Sequence, residues 1–567
     1  MGRKVPTGQA SIEVPGLGQV QGRLYSNDVR QYYGIPYGRL SKRWTRASMV
    51  TSWDGGFHNG TKLGNLTFPI RKHYPSPPEY EDGNDMLVPV PETDQFKGNW
   101  LASDTDCLRL NITQPPPPPS GRSTEGGPYP VLVYLHGGGF VVGGPHLPIF
   151  DGAHFVSRSV SQGNPIVFVA IGYRIGLGGF LASKEIQDDL ARDGFSGAGN
   201  FGLTDQQLGL AWVQKYISAF NGDESRITLC GESAGGFSVA HQMNALEPPK
   251  FINRAIFMSG TNNIMASWPV ERWQFYYDEL LRYVGIDPNS PDTLAQLREV
   301  PEPVLTAATF PIYHNDFPLY SACQDELFPM RVADTDLATS LPDWLEAVMV
   351  GATHDEGSLW RSVLRNFSGD NEILERFKSH MDSTQAHLIL AKYLPGVDVD
   401  RATLLKGLEE MARDAFFSMP NYMLSRRRSR PLGKDVYVYH TDQVSTLDNP
   451  VKGLAYHAID LYYIFLNGLD TMSEGQARLA FKMADDFIHF TNAIEPYPSF
   501  SQEKRCMVYG PEDKWEVKTE EADDAERGYT RMSEIIDGGL YERFWNAMDD
   551  IVADRYRVDL VLERRED

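Results

Sequence analysis

Residues 226–241 read RITLCGESAGGFSVAH, and the rest of the chain is interpreted from this stretch. The apolar run 227–230 is typical of a buried parallel strand, and residues 234–242 are compatible with a helix. Between them, Gly-Glu-Ser-Ala-Gly-Gly matches the pattern G-x-S-x-G, in which a serine occupies a sharp strand-to-helix turn. Such a turn would expose the Ser233 hydroxyl at the positive end of a helix, where backbone N–H groups can bind an oxyanion. The stretch predicts a nucleophilic serine; the alternative is an ordinary serine in a glycine-rich turn.

A second glycine-rich turn, His136-Gly137-Gly138-Gly139-Phe140, follows the continuous apolar run 130–135. Three successive glycines leave their backbone N–H groups unobstructed, as a loop that donates hydrogen bonds to an oxyanion requires. HGGG is the form that this loop takes in lipases and esterases. The alternative interpretation is a flexible turn without a catalytic role.

Apolar strand-like runs alternate with helical patterns along most of the chain. Further strands are predicted at 107–112, 166–171, 255–258, 347–351 and 435–440, and helices around 373–394 and 402–419. The pattern predicts an α/β fold with a central, mostly parallel sheet flanked by helices. Since no low-complexity linker divides the 567 residues into comparable halves, we expect one elaborated domain over 1–567. Helical insertions at roughly 270–430 are expected to lie over the active site.

The remaining parts of a serine hydrolase follow in chain order. In such enzymes the nucleophile, an acid and a histidine come after successive strands, so that the imidazole takes the serine proton and the carboxylate orients the imidazole. Glu356 follows the strand at 347–351, and His457 follows the last predicted strand. By spacing alone, Asp355 competes with Glu356 as the acid, and His440 is the alternative to His457.

Composition and net charge limit the kinds of partner and cofactor that we expect this protein to bind. The net charge is −22, from 53 basic and 75 acidic residues, so we expect no binding to nucleic acid. No apolar run approaches the ~20 residues that span a bilayer. The four cysteines, Cys107, Cys230, Cys323 and Cys506, lack metal-ligand spacing, so neither a zinc site nor a disulfide framework is indicated, and no metal or organic cofactor is expected.

The amino-terminal sequence gives one indication of the cellular compartment in which the protein is found. MGRKVPTGQASIEVPG has basic residues but no apolar segment behind them, so it does not resemble a secretory signal. Four N-glycosylation sequons, at Asn59, Asn65, Asn111 and Asn366, would matter only in the secretory pathway. We therefore expect a cytoplasmic enzyme.

Taken together, the sequence resembles the type-B carboxylesterase/lipase family, the cholinesterase-like branch of the α/β-hydrolases, over nearly its whole length. The matching stretches are YYGIPYG, SDTDCLRLNI, YLHGGGF, GYRIGLGGFL, GNFGLTDQQLGLAWVQKYISAFNGD, GESAGG, DEGS and HAIDL. The resemblance implies an α/β-hydrolase fold and a set of site residues. These are Ser233 as nucleophile, Glu356 as acid and His457 as base, with Gly138, Gly139 and Ala234 donating backbone N–H groups to the oxyanion.

The chain also departs from the family pattern. Family members usually have a cysteine upstream that bridges to the one at Cys107, and this sequence has none, so that disulfide is expected to be absent. Ala458 replaces the usual glycine after the histidine. Trp100 lies closer to Cys107 than the tryptophan with which cholinesterases stack quaternary ammonium, so choline esters are not expected substrates. Glu232 matches the family and could either polarise the site or cap a turn.

These observations predict a serine carboxylic-ester hydrolase that works through an acyl-enzyme. Four aromatic residues near the motifs suggest an apolar pocket, and hence a small-molecule ester with apolar groups; the equal alternative is that they belong to the core. They are Phe140, Tyr313, Phe317 and Trp360. The alternative is an acyltransferase, lactonase or thioesterase that uses the same triad, because other nucleophiles attack the same acyl-enzyme. A non-catalytic binding protein is disfavoured, since such relatives lack the serine. The sequence does not indicate which oligomeric state the protein adopts.

Overall fold

The structure, a computed structural model, describes residues 5–65, 103–117, 128–261, 267–309, 311–313, 321–329, 341–367, 369–396, 399–429, 435–448 and 451–552. Its strands, in chain order, are β1 (Gly8–Val14), β2 (Gly18–Leu24), β3 (Arg30–Pro36), β4 (Gly38–Arg39), β5 (Ser48–Met49), β6 (Phe57–Asn59), β7 (Arg109–Gln114), β8 (Tyr129–Leu135), β9 (Val167–Ile171), β10 (Gly222–Glu232), β11 (Ile252–Met258), β12 (Ala347–Thr353), β13 (Asp435–Thr441), β14 (Arg505–Tyr509) and β15 (Trp515–Thr519).

Most of these strands form one large sheet. Its order is β1-β2-β3-β7-β9-β8-β10-β11-β12-β13-β14-β15, with β6 beside β2, while β4 and β5 pair separately. Neighbours from β9 to β14 run parallel. The pairs at both ends of the sheet are antiparallel. The predicted α/β class with a mostly parallel central sheet is confirmed.

Helices connect the parallel strands, as right-handed crossovers require. The α-helices of the described residues are Gly152–Ser161, Gly176–Phe180, Lys184–Arg192, Phe201–Tyr216, Ala234–Met243, Val270–Tyr283, Thr293–Arg298, Glu302–Ala308, Arg361–Leu364, Asp370–Lys378, Ser383–Leu390, Arg401–Arg413, Met419–Ser429, Ile459–Ile464, Glu474–Thr491, Phe500–Glu503, Glu520–Arg527, Tyr529–Asp537 and Tyr541–Val552. Shorter elements are the 3-10 helices Asp54–Gly56, Pro148–Phe150, Ile217–Phe220, Pro311–Tyr313 and Glu356–Trp360, and the π-helix Asp414–Ser418. None of these described helices is both long and apolar enough to cross a membrane.

Local sequence signals explain several helix starts. The Asp151 carboxylate accepts from the N–H of Ala153 at the start of Gly152–Ser161. Ser473 and Gln476 form a reciprocal capping box at the start of Glu474–Thr491. Both arrangements satisfy N–H groups that the first turn of a helix leaves without an intrahelical partner.

Side chains of the central strands alternate between two hydrophobic cores, one on each face of the sheet. Val131, Val133 and Leu135 point into one core, and Leu132 and Tyr134 into the other. Helices Phe201–Tyr216 and Ala234–Met243 pack on the first face, and Gly152–Ser161 and Glu474–Thr491 on the second. Because both faces are covered, these strands have continuous apolar sequences, which is why they could be predicted.

The parallel register brings several loops together at one edge of the sheet. Leu135 of β8 pairs with Gly231 of β10, and Met258 of β11 pairs with both Glu232 of β10 and Gly351 of β12. The carboxyl ends of β8, β10, β12 and β13 therefore lie side by side. Ligands in open α/β sheets bind outside this edge.

Candidate active site

Ser233 lies in a strained turn between β10 and helix Ala234–Met243. Its backbone angles are φ 54° and ψ −122°, a conformation that side-chain-bearing residues rarely adopt. The Ser233 N–H donates to the Met258 carbonyl oxygen at 2.9 Å, which ties the turn to β11. A Cβ on Gly231 would lie 2.2 Å from the Gly235 carbonyl carbon, and a Cβ on Gly235 would lie 2.0 Å from the Leu135 carbonyl oxygen. The turn thus closes only with glycine at both positions.

Glu356 and His457 meet beside this turn. Glu356 opens the 3-10 helix that follows β12 and is fully buried. Its Oε1 accepts from the Thr353 N–H at 2.8 Å, and its Oε2 lies 2.5 Å from His457 Nδ1. A carboxylate in this position holds the imidazole in the tautomer whose other nitrogen, Nε2, can accept a proton.

His457 and Ser233 are not hydrogen-bonded to each other in this structure. The Ser233 hydroxyl is half-buried and forms no hydrogen bond with any described residue. The Nε2 atom of His457 instead lies 3.3 Å from Glu232 Oε1. Glu232 therefore points into the site, on the imidazole side of the turn, rather than capping a neighbouring turn as one interpretation of the sequence allowed.

The alternative acid and base have other partners. Asp355 accepts from the Ala455 N–H at 2.7 Å and lies 3.0 Å from His354 Nδ1, so it braces the loop that carries His457. His440 is half-buried on β13, and its Nε2 lies 2.8 Å from the Tyr529 hydroxyl. Neither side chain forms a hydrogen bond with a described member of the Ser233, Glu356 and His457 group.

Several buried carboxyl groups set the charge around His457. Burial lowers the pKa of His457, but the carboxylates of Glu356 and then Glu232 outweigh it and raise this pKa to about 9. Burial, opposed by His457, raises the pKa of Glu232 to about 8. Asp460 lies one helical turn beyond His457, and burial followed by the charge of Glu356 raises its pKa to about 6. The Tyr439 hydroxyl donates to Asp460 at 3.0 Å.

Asp460 was not singled out from the sequence. The available signal was a carboxylate three residues after His457, in the otherwise apolar segment AIDLYYI. An ionisable side chain inside such a run is uncommon in a buried helix and points to a specific partner.

The glycine-rich loop after β8 lies against Ser233. A Cβ on Gly137 would be 3.0 Å from the Ser233 Cβ. Gly138 and Gly139 have φ of 105° and 61°, and their N–H groups donate to no described residue. Ala234 is the first residue of helix Ala234–Met243, where N–H groups lack intrahelical acceptors. The three N–H groups thus belong to two segments that flank Ser233.

His136 anchors this loop. Its ring stacks on Tyr173 with a centroid separation of 4.3 Å, and the Tyr173 hydroxyl donates to the His136 carbonyl oxygen at 2.6 Å. Burial lowers the pKa of His136 to about 4, so the ring is neutral at physiological pH.

The expected aromatic pocket is not formed by the residues proposed from the sequence. Phe140 is fully buried and stacks on Phe180 at 4.1 Å, and Trp360 is 1% exposed and packs against Phe416. Both are core residues, which is the alternative that the sequence left open for them. The Tyr313 side chain, Phe317 and Trp100 lie outside the described residues.

All four cysteines are buried thiols rather than halves of disulfides. Ligand atoms of Cys506, His440 and Asp523 lie within 4.8 Å of one another. However, Arg527 Nε donates to Asp523 at 3.1 Å, and burial followed by the charge of Asp523 raises the pKa of Cys506 to about 12. A protonated thiol and a carboxylate already paired with arginine make this a poor metal site.

Comparisons with known proteins show the family to which the chain belongs. A sequence model described as the carboxylesterase family matches residues 8–532. Secreted lipase 1 of Botryotinia fuckeliana (strain B05.10) is 35% identical over 294 residues, 49% of this chain and 47% of that protein, so the match spans about half of its length. Lipase 3 of Yarrowia lipolytica (strain CLIB 122 / E 150) is 26% identical over 493 residues, 86% of this chain and 89% of that protein.

The solved structure of PNB esterase is similar with a TM-score of 0.68 and 21% identity, covering 92% of this chain and 99% of that one. This similarity confirms the predicted α/β-hydrolase fold. The expectation of a cytoplasmic enzyme, by contrast, is wrong, because a relative of this chain is named as a secreted lipase. The amino-terminal pattern from which it was drawn is a weak guide to compartment.

Proposed function

The chain belongs to the carboxylesterase family and is an ester-hydrolysing enzyme, and we propose that Ser233, Glu356 and His457 form its catalytic triad. The observation that carries the proposal is the 2.5 Å contact between His457 Nδ1 and Glu356 Oε2, beside the strained turn at Ser233. A nucleophile on a sharp turn, a base and an orienting acid are the parts of this chemistry.

In the proposed reaction, Ser233 Oγ attacks the ester carbonyl carbon while His457 Nε2 takes the hydroxyl proton. The N–H groups of Gly138, Gly139 and Ala234 stabilise the negative charge on the carbonyl oxygen. His457 then gives its proton to the departing alkoxide, the C–O bond breaks, and the acyl group remains on Ser233. Water attacks this acyl-enzyme with His457 again as base, and releases the carboxylic acid.

The first step requires His457 Nε2 and the Ser233 hydroxyl to come within hydrogen-bond reach. Catalytic hydrogen bonds are often long before substrate binds and shorten in the reactive complex. Glu232, 3.3 Å from the same nitrogen, competes with the serine for it. Burial raises the pKa of Glu232 to about 8, and the protonated carboxyl can donate to the Nε2 lone pair that must take the serine proton.

For the substrate, we propose carboxylic esters with apolar groups. The names of Secreted lipase 1 and Lipase 3 support this class. We also propose that the enzyme acts outside the cell, as the name of Secreted lipase 1 suggests. Recovery of the activity from culture medium rather than from cells would test this.

The sequons provide an independent check of export. Asn59 is exposed and accessible to a glycan. Asn111 is buried, and its side chain bonds the Pro145 carbonyl oxygen at 2.7 Å and the Gly34 N–H at 2.9 Å. An exported protein should therefore carry a glycan at Asn59 and none at Asn111, and an unmodified Asn59 in secreted material would contradict this expectation.

The nucleophile is tested by Ser233→Ala. Turnover of a p-nitrophenyl ester should fall by ~10⁴-fold or more, and labelling by an organophosphate should disappear. Ser259→Ala is the control, because Ser259 also has positive φ and follows the neighbouring strand, while its fully buried side chain is not part of the proposed triad. If Ser233→Ala kept more than a tenth of the activity, the proposed nucleophile would be wrong.

A further inference from the structure

The imidazole of His457 is covered on one side by an aromatic residue from a distant part of the chain. The ring of Phe417 lies 5.4 Å from the His457 ring, centroid to centroid, with an angle of 52° between the planes. Phe417 is fully buried. It also packs against Trp360 at 5.7 Å, at the end of the 3-10 helix that begins with Glu356.

Phe417 owes its position to a π-helical turn. The helix Arg401–Arg413 continues through the π-helix Asp414–Ser418 into Met419–Ser429. A π-turn inserts one residue into the helix, and so rotates the side chains that follow it. Residues 411–417 are all buried, so this part of the helix is enclosed on every side, and Phe417 is the last residue of that buried run.

Buried charges hold the π-turn in place. The Asp414 carboxylate is fully buried and accepts from Arg413 Nε at 2.9 Å, from the Tyr393 hydroxyl at 3.0 Å and from the Arg531 guanidinium at 2.6 Å. Hydrogen bonds between ionised groups are strong and directional. The start of the turn is therefore fixed relative to helix Tyr529–Asp537 and to the turn that follows helix Ser383–Leu390.

The same helix also fixes the turn that carries Glu356. A Cβ on Gly357 would lie 1.9 Å from the Glu409 carbonyl oxygen, so the two backbones are in direct contact. Arg361, just beyond the 3-10 helix, makes a bidentate ion pair with the Glu409 carboxylate at 2.5 and 2.9 Å. One continuous helix thus contacts the segment of the acid through Glu409 and the base through Phe417.

From this arrangement we propose that Phe417 is a positioning residue for the catalytic imidazole. Its ring restricts rotation of the His457 side chain, so that Nδ1 stays on Glu356 while Nε2 remains available to the serine. The centroid separation of 5.4 Å is also within the ~6 Å over which an aromatic ring attracts a cation, and on this proposal the ring stabilises the imidazolium that forms during the reaction. This inference rests on the proposed base role of His457.

The test compares Phe417→Leu with Phe416→Leu in the full-length enzyme. Phe416 is adjacent on the same π-helix and equally buried, but it packs on Trp360 at 4.8 Å and Trp545 at 5.7 Å. Leucine keeps water away from the imidazole and removes the ring. Both variants should lower the melting temperature to a similar degree.

Only Phe417→Leu should change the catalytic step. We expect its kcat to fall roughly 10-fold with KM changed less than about twofold, because an interaction made in the transition state is lost. The acidic limb of kcat/KM should move about 0.5 pH unit lower, since the imidazolium loses a cation–π contact. Glu232, Glu356 and Asp460 are unchanged in both variants, so the carboxyl groups around His457 do not account for a difference between them.

Three outcomes would overturn the inference: equal kcat and pH profiles for the two variants, a raised KM with unchanged kcat, or an unshifted acidic limb for Phe417→Leu. If Phe417→Leu does not fold, Phe417→Met, which retains more of the side-chain length, is measured in its place against Phe416→Met. His457→Ala separates the two proposals. Substantial activity in that variant would contradict the triad itself, whereas an inactive His457→Ala beside an unaffected Phe417→Leu would contradict only the positioning role.

Discussion

Replacing Glu356 by glutamine tests the hydrogen bonds that define the proposed acid. In the wild type, Oε1 accepts from the Thr353 N–H at 2.8 Å and Oε2 faces His457 Nδ1 at 2.5 Å. Glutamine has only one acceptor oxygen. If that oxygen stays on Thr353, the amide NH₂ faces Nδ1, which must then accept a hydrogen bond. The proton of the neutral imidazole moves to Nε2, and the ring can no longer take the serine proton.

The opposite amide orientation keeps the proton of His457 on Nδ1, so Nε2 can still accept the serine proton, but this orientation is itself higher in free energy. It leaves the buried Thr353 N–H without an acceptor, which costs about 1–3 kcal/mol. In either orientation the imidazolium loses its counter-charge, worth about 4 kcal/mol for charges ~4 Å apart at an effective dielectric constant of ~20. The sum of about 5–7 kcal/mol corresponds to a loss of roughly 10⁴- to 10⁵-fold in kcat.

The assay is steady-state hydrolysis of a p-nitrophenyl ester, with Asp355→Asn as the matched control. Asp355 is the neighbouring carboxylate, and an asparagine oxygen there can still accept from the Ala455 N–H. We expect Asp355→Asn to lose less than about 10-fold in kcat, because no proton transfer depends on it. A loss smaller than 100-fold for Glu356→Gln, or a larger loss for Asp355→Asn, would refute the assignment of the acid.

Three further predictions follow from the same geometry. Burial lowers the pKa of His457, but Glu356 and Glu232 raise it to about 9, so kcat/KM should fall as the pH drops through a value above the ordinary 6.5 of histidine; a profile flat from pH 9 to pH 5 would contradict a histidine base. Gly235→Ala, whose Cβ would lie 2.0 Å from the Leu135 carbonyl oxygen, should yield unfolded or inactive protein, whereas Gly178→Ala, with nothing within 4 Å, should behave like the wild type. Denaturing titration should find four thiols, and a strong reductant should leave the melting temperature unchanged, because all four cysteines are buried thiols.

The parts of the fold that the sequence predicted are those with a strong local signal. The central strands are buried on both faces, so β8 to β13 have apolar runs that stand out from their surroundings. The strands β14 and β15 were missed. β15 is an edge strand, with the mixed sequence WEVKT and largely exposed side chains, so it resembles a loop in composition.

In the site too, residues with a strong local sequence signal could be predicted, whereas residues placed by tertiary packing could not. The turn at Ser233 could be predicted because three glycines and a serine at fixed spacing are needed for its geometry. The choice between Asp355 and Glu356 could not be made from spacing, since the chain turns directly after β12 and neither strand nor helix periodicity applies to these residues. Periodicity alone does not reveal tertiary packing. It therefore could not predict the direction in which Trp360 points from its 3-10 helix, or the π-turn in which Phe417 lies.

Hydrogen-bond donors, rather than the presence of a carboxyl group, distinguish Glu356 from Glu232. Glu232, Glu356 and Asp460 are all buried near His457. Each carboxyl group loses hydration on burial, and burial opposes ionisation unless donors replace the water. Glu356 has the Thr353 N–H on one oxygen and His457 on the other, whereas Glu232 Oε1 has no hydrogen-bond donor among the described residues. Burial accordingly raises the pKa of Glu232 to about 8. We infer that the backbone of β12, by directing one N–H at Glu356, determines which of three neighbouring acids orients the imidazole.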